Sequence, residues 1–331
     1  MATIQDIANR LGISKGTVSK ALNGASDISE TLRKTILDTA VEMGYSRHHR
    51  HKADRQKFCI LIRNIEYEQP HQFGHDFVIG FRQMAEPAGF GVDVILADIQ
   101  MERDTPYDVF MLQNDYIGAF VLGFSLEDPW MKDFRTCHTP TVLYDNYMPA
   151  NPCLASVGID NEEGMTLAVE HLKELGHRNI GYLSSSSGSH VMQIRHKAFS
   201  KAMKQNGLKT DSSCVGASYY ISQCIEKHHP RLLDMGMTAF ICSHDLIAHA
   251  AIVQCQQLGY RVPQDISIIG FDDLPMSAHT SPPLTTIRQD GKELGKCGYY
   301  ALDSIRNHVA IGTMLLHAQL ILRNSTGKIR S

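Results

Sequence analysis

From Phe58 onward the chain alternates short apolar runs with amphipathic stretches, and this rhythm restricts its fold more than any other feature. Phe58 to Ile62, Val92 to Leu96, Tyr116 to Leu122, Thr141 to Tyr144, Asn179 to Leu183, Thr238 to Cys242 and Ile266 to Phe271 have the length and side-chain content of buried strands. Helical patterns such as Glu162 to Leu175, stopped by Gly176, fill the intervals, and a last strand is expected near Leu315 to Leu322. Strands and helices in strict alternation imply an α/β architecture. Its parallel sheets carry helices on both faces, and ligands bind beyond the carboxyl ends of the strands.

The first fifty residues follow a different period. Ile4, Ile7, Ala8 and Leu11 share one helical face, and Thr3 with Asp6 forms a capping-box start. Gly12 stops that helix, Ser14 can cap a second carrying Val18, Ala21 and Leu22, and a third begins after Ser29 and ends at Gly44. Two short helices joined by a glycine-containing turn make a helix-turn-helix, here completed to a three-helix headpiece. In that geometry Lys15, Gly16 and Thr17 project at the start of the second helix, with Ser19 and Lys20 further round, as candidates for base edges and nearby phosphates. Lys15 can donate to guanine O6 and N7, and Gly16 lets the backbone approach the groove. Gly12 to Gly16 also satisfies the G-x-S-x-G expression of a hydrolase nucleophile elbow. That motif needs a preceding strand, whereas the segment here is a capped helix.

Charge sharpens the division. Residues 1–57 hold ten Lys and Arg against six Asp and Glu, and the remainder holds twenty-two against twenty-nine. Between Gly44 and Lys57 lie five basic side chains, three histidines and one acid, Asp54, which marks an arm that meets phosphates. At 331 residues with 43% hydrophobic content, two or three packed units are expected. The first ten residues lack a signal-peptide core and no run approaches a bilayer span, so the protein reads as cytoplasmic with no membrane role. Eight scattered cysteines show no Cys-x-x-Cys spacing, and no phosphate-binding glycine loop is present. No cofactor and no metal is expected.

The runs Thr3 to Ala8, Gly12 to Ser14, Thr17 to Lys20, Leu22 to Gly24, Ser29 and Met43 to Tyr45 closely resemble the headpiece of the lactose-repressor (LacI/GalR) family. Gly158 to Asn161, His171-Leu172 with Leu175 to Ile180, Val262 to Ile266, Gly270 to Asp273 and Pro283 to Ile287 resemble the same family's sensor domain. The resemblance implies a two-lobed periplasmic-binding-protein-like fold. Residues 1–45 would be the DNA-binding domain and 46–57 a basic linker. Residues 58–331 would be the effector-binding and dimerisation domain, with one lobe about 58–160 and 289–320 and the other about 161–288 and 321–331. It implies contacts to double-stranded operator DNA from Thr3, Ser14, Lys15, Gly16, Thr17, Ser19, Lys20, Asn23, Tyr45, Arg47 and Arg50. Effector residues carry over to Arg195 and Asp272, with Asp145 and Phe73 as further candidates. An Arg and Asp pair suits a sugar, since one donates a fork and the other accepts from vicinal hydroxyls; the same two residues can also close a salt bridge between lobes.

The chain departs from the family in three places. Asp54 stands where the linker's wedge leucine belongs, Ala198 replaces a preferred glycine, and His244 a preferred asparagine. A carboxylate cannot wedge between base steps, so the linker is expected to bind through charge, from Arg47, Arg50 and Arg55 with His48, His49 and His51 adding to it. Trp130 is expected in the core. The whole reads as a homodimeric, sequence-specific transcriptional regulator, a repressor under small-molecule control, and not an enzyme. A solute-binding module would lack the headpiece and carry a secretion signal. An enzyme would need a clustered nucleophile and base, which the seventeen histidines do not supply.

Overall fold

The first helix begins where its capping residues put it. In a computed structural model describing residues 2–45, 55–148, 151–185 and 189–329, the Thr3 hydroxyl accepts the Asp6 amide. The Asp6 carboxylate in turn accepts the Thr3 amide, which opens α1 (Ile4–Leu11). Gly12 closes it at φ 67°, a left-handed conformation that costs glycine nothing. The Ser14 hydroxyl accepts the Thr17 amide at 3.0 Å and starts α2 (Lys15–Leu22), and Ser29 starts α3 (Glu30–Glu42) in the same way. Ile7, Val18, Ala21, Leu22, Ile36 and Ala40 meet in a small buried core, so three short helices that would be marginal alone support one another.

Beyond this headpiece come β1 (Lys57–Ile62), α4 (His75–Ala85), β2 (Gly91–Leu96), α5 (Ile99–Asp104), α6 (Tyr107–Gln113), β3 (Tyr116–Leu122), α7 (Trp130–Asp133), β4 (Thr141–Tyr144) and β5 (Leu154–Ile159). There follow α8 (Asn161–Glu174), β6 (Ile180–Ser184), α9 (His190–Gln205), β7 (Val215–Ala217), α10 (Ile221–Gln223), α11 (His229–Asp234) and β8 (Ala239–Cys242). The chain ends through α12 (Asp245–Gln257), β9 (Ser267–Asp272), β10 (Thr285–Arg288), α13 (Gly291–Arg306), β11 (Thr313–Leu316) and β12 (Gln319–Ile321).

The strands form two six-stranded sheets, ordered β11-β5-β4-β3-β1-β2 and β12-β10-β9-β8-β6-β7. Pairing is parallel from β2 through β5 and from β7 through β10, and β12 runs antiparallel to β10. Each sheet reverses its strand order once, between β1 and β3 and between β6 and β8. Such switch points open a crevice at the carboxyl ends of their strands. Two compact units result. One is Met1–Glu68 with Gly74–Val157 and Gly295–Met314, and the other Gln69–Phe73 with Gly158–Leu294 and Leu315–Ser331.

Burial explains the apolar runs. In β1 the five residues from Phe58 to Ile62 are wholly buried, because a parallel strand with helices on both faces has no wet side. Trp130 is fully buried too, its indole N–H donating to the Thr105 carbonyl at 2.8 Å. The expected strands appear within a residue or so of their places, with one correction. The run from Leu315 to Leu322 is two strands, β11 in the first sheet and β12 in the second, broken at His317 and Ala318.

Candidate effector site and nucleic-acid interface

At the β6/β8 switch point, loops from several elements converge on one guanidinium. Arg195, on the buried side of α9, is 1% exposed. Its Nε donates to Asn161 Oδ1 at 2.9 Å, and one terminal nitrogen donates to the Ser243 carbonyl at 2.6 Å and to Asp272 Oδ1 at 3.1 Å. The guanidinium lies 3.8 Å over the Phe271 ring. Gln289 donates to the same Asp272 oxygen at 2.7 Å. Asn161 opens α8 just after its cap Asp160, so the Gly158 to Asn161 run both starts a helix and aims an amide at Arg195.

Arg195 and Asp272 therefore pair within the second unit, so the alternative of a salt bridge between lobes does not describe them. Asp272 holds φ at 113° and Asp273 at 56°, two consecutive residues in a region that L side chains avoid. Asp273 is fixed by Arg288 and Arg323, both at 2.7 Å, which supply the restraint such strain requires.

His244 joins the same cluster. As N-cap of α12 it accepts the Ile247 amide at Nδ1, at 3.4 Å, so Nε2 carries the proton and donates to Ser185 Oγ at 2.6 Å. Burial pushes its imidazole below the usual range; the Asp272 charge opposes this and Arg195 adds to it. Behind it Asp245, fully buried, accepts from Ser277, Thr286 and the Leu274 amide. Burial first, and then the Asp272 charge, lift its pKa to about 7. Two exposed rings, Tyr219 and Tyr220, follow the end of β7, and the Ser218 amide ties that end to the Ser184 carbonyl.

The structure thus brings Arg195 and Asp272 together. Asp145 follows β4 in the first unit, half-buried at φ 56°, and the half-buried Phe73 groups with the second. Sequence reasoning gave no site role to Asn161, Ser185, His244, Gln289, Tyr219 or Tyr220. They come from five separate segments; His244 stood out only as a departure from the family's asparagine, and only the switch point's location could have pointed to Ser185.

On the headpiece, Thr3, Ser14, Lys15, Gly16, Lys20 and Asn23 are exposed, and Thr17, Ser19 and Tyr45 half-buried. Ser14 and Thr17 bond through their hydroxyls at 2.8 Å, and Lys20 pairs with Asp27 at 2.5 Å. Lys15 and Gly16 occupy the exposed first turn of α2. Arg47, Arg50, His48, His49, His51 and Asp54 lie outside the described residues. Arg55, expected among the phosphate-binding arginines, instead donates to the carbonyls of Glu86 at 2.6 Å and Gly89 at 2.9 Å, beyond the end of α4. Among the described residues no group of His, Cys, Asp or Glu is placed to hold a metal ion, and no helix is long and apolar enough to cross a membrane.

Residues 3–48 match the model for bacterial regulatory proteins of the lacI family, and residues 169–326 match that for the periplasmic binding protein-like domain. The HTH-type transcriptional repressor CytR of Escherichia coli (strain K12) is 28% identical, the alignment covering 98% of this chain and 96% of CytR. Among solved structures, the transcriptional regulator CelR in complex with cellobiose superposes with a TM-score of 0.69 at 22% identity, over 98% of this chain and 100% of that one. The lac repressor dimer bound to operator and the anti-inducer ONPF superposes at 0.67 and 22% identity, over 98% and 99%. A helix-turn-helix ahead of two parallel α/β units defines the class of DNA-binding transcription regulators with a periplasmic-binding-protein-like sensor domain. Within that class, the chain belongs to the lactose-repressor (LacI/GalR) family.

Proposed function

We propose that this protein is a cytoplasmic, homodimeric repressor that binds a two-fold operator through residues 1–45 and is controlled by a sugar or sugar derivative held in residues 58–331, with 46–57 as a basic linker. The observation that carries the reading is the Ser14-capped first turn of α2, which presents Lys15 and Gly16 outward while Val18, Ala21 and Leu22 fix the helix from behind. One headpiece buries too little for specificity, and a two-fold operator doubles its contacts.

Base contacts are assigned to Lys15, Gly16 and Thr17. Thr3, Ser14, Ser19, Lys20, Asn23, Tyr45, Arg47 and Arg50 position the headpiece on the backbone or neighbouring bases. In the sensor domain Arg195 and Asp272 hold the ligand's hydroxyls. Asn161 and Gln289 orient those two, and Asp145 and Phe73 contribute from the remaining elements. The strained backbone at Asp272, locked by Asp273, Arg288 and Arg323, favours a recognition role over a merely structural pair. No step of this function requires catalysis.

The test is selection of duplexes from a genomic library by the full-length protein, followed by a thermal-shift screen of pentoses, hexoses, their phosphates and nucleosides. The reading expects an enriched inverted repeat lost by Lys15→Ala. It also expects a sugar that changes operator affinity about 5- to 150-fold, with that response abolished by Arg195→Ala. Failure to enrich any duplex, or ligand hits that leave operator affinity unmoved, would remove it.

A further inference from the structure

The headpiece core is not closed by the headpiece alone. Val109 of α6, 7% exposed, is buried in the same cluster as Ile36, Leu37 and Ala40, and Leu112 packs beside it. These two residues lie one helical turn apart on α6, so α3 rests along a sensor-domain helix. The α2 turn carrying Lys15 remains exposed in this arrangement.

Next to that seam is a cavity of about 590 Å³, within the range of pockets that enclose a drug-sized molecule. Val41 and Tyr45 of the headpiece wall one side. Leu112, Ile117, Ile305 and Val309, from the α/β part of the same unit, wall the other. Of the charged groups among its lining, Asp108 and Arg306 are bonded to protein, although Arg306 Nε has no partner among the described residues. Asp108 accepts the amides of His138 and Thr139 at 2.9 and 3.0 Å, and Arg306 pairs with Asp303 at 2.7 Å while its guanidinium lies 5.0 Å over the Phe90 ring. An incoming charge would find most of these partners taken and lose much of its hydration without compensation.

We propose that this cavity is a second ligand site, distinct from the Arg195 cluster, which takes a neutral, largely apolar, ring-bearing molecule and clamps α3 of the headpiece to α6. Such a ligand touches α3 and the sensor domain at once, so its binding favours the docked headpiece by its differential affinity for that state.

The probe is Nile red, a neutral apolar dye, titrated into the full-length protein in the absence of DNA and sugar, so the outcome does not depend on the operator or effector reading. The expected result is saturable fluorescence enhancement at one dye per chain, weakened at least tenfold by Val309→Arg and likewise by Val41→Arg. Val309 is 53% exposed, so its replacement is expected to leave the fold intact, and circular dichroism and melting matching wild type are required of both variants. Non-saturating dye uptake, an affinity changed less than twofold by both variants, or a weakening with Val309→Arg alone would overturn the proposal. The last outcome would place the dye on the sensor domain without the headpiece.

Discussion

Single residues decide the effector cluster, and Gly270 shows how tightly. A Cβ built there collides with the Asp245 carboxylate, which is already held by Ser277, Thr286 and the Leu274 amide. Gly270→Ala must displace a buried acid and break part of that network, so it is expected to lose about 2 to 4 kcal/mol of unfolding free energy in urea titrations. A loss under about 1 kcal/mol would mean that the strand shifts instead. His229 offers a second residue-scale prediction. It is fully buried, bonded through Nδ1 to Gln254 at 2.5 Å and packed edge-on against Phe240. Burial lowers its pKa to about 4, against about 6.5 in the unfolded chain, so the unfolded state takes up the proton first. Stability is therefore fully present above about pH 6.5 and is lost as pH falls toward 4, by about 3 kcal/mol from this group. His229→Gln should flatten that part of the pH profile relative to wild type, and parallel profiles for the two proteins would refute the assignment. Arg195 and Asp272 were legible because each stands in a run resembling the family. Asn161 and His244 stood at family positions without a role, and Gln289 and Ser185 were not legible at all, because contact between distant segments leaves no local pattern.

Among the elements, legibility tracked how completely local physics sets the boundary. The start of α1 at Thr3, its stop at Gly12 and the start of α2 at Ser14 were readable because caps act within three or four residues. β3 and β4 stood out as unbroken apolar runs. β5, β7 and β10 did not, although Leu154 to Ile159 and Thr285 to Ile287 are buried. Their alanine, serine, glycine and threonine content carries little apolar signal, and their burial comes from the sheets they join. The single strand read near Leu315 to Leu322 failed for a related reason, since hydrophobicity does not say which sheet a strand enters. The caps themselves yield a prediction. Ser14→Ala leaves the Thr17 amide without its acceptor and is expected to destabilise the headpiece by about 1 kcal/mol, seen as a lower first transition in thermal melts. Ser14→Gly should cost only a few tenths of that unit. An unchanged first transition for Ser14→Ala would show that the side-chain bond contributes nothing.

For the whole molecule, the governing asymmetry is charge. Residues 1–57 carry a surplus of four positive side chains, and the rest a deficit of seven. A duplex is thus attracted to one end of the chain and repelled by the remainder, which orients encounter before any base is read. Sequence alone assigned Arg47, Arg50 and Arg55 to that attraction together, and of the three only Arg55 lies among the described residues. The Arg55 guanidinium is held by the Glu86 and Gly89 carbonyls, where it anchors the end of the linker to the first unit. Removing one cation from a phosphate lowers the slope of log affinity against log salt by about 0.9, and in a homodimer every substitution removes two. Arg47→Ala and Arg50→Ala should therefore each flatten the slope by about 2. Arg55→Ala should leave the slope unchanged while making the linker's junction with β1 more susceptible to protease. The salt series, run by fluorescence anisotropy on one operator duplex, separates the two roles. A slope that falls equally for all three variants would return Arg55 to the phosphate-binding set, and with it the view that the linker acts as one continuous charged arm.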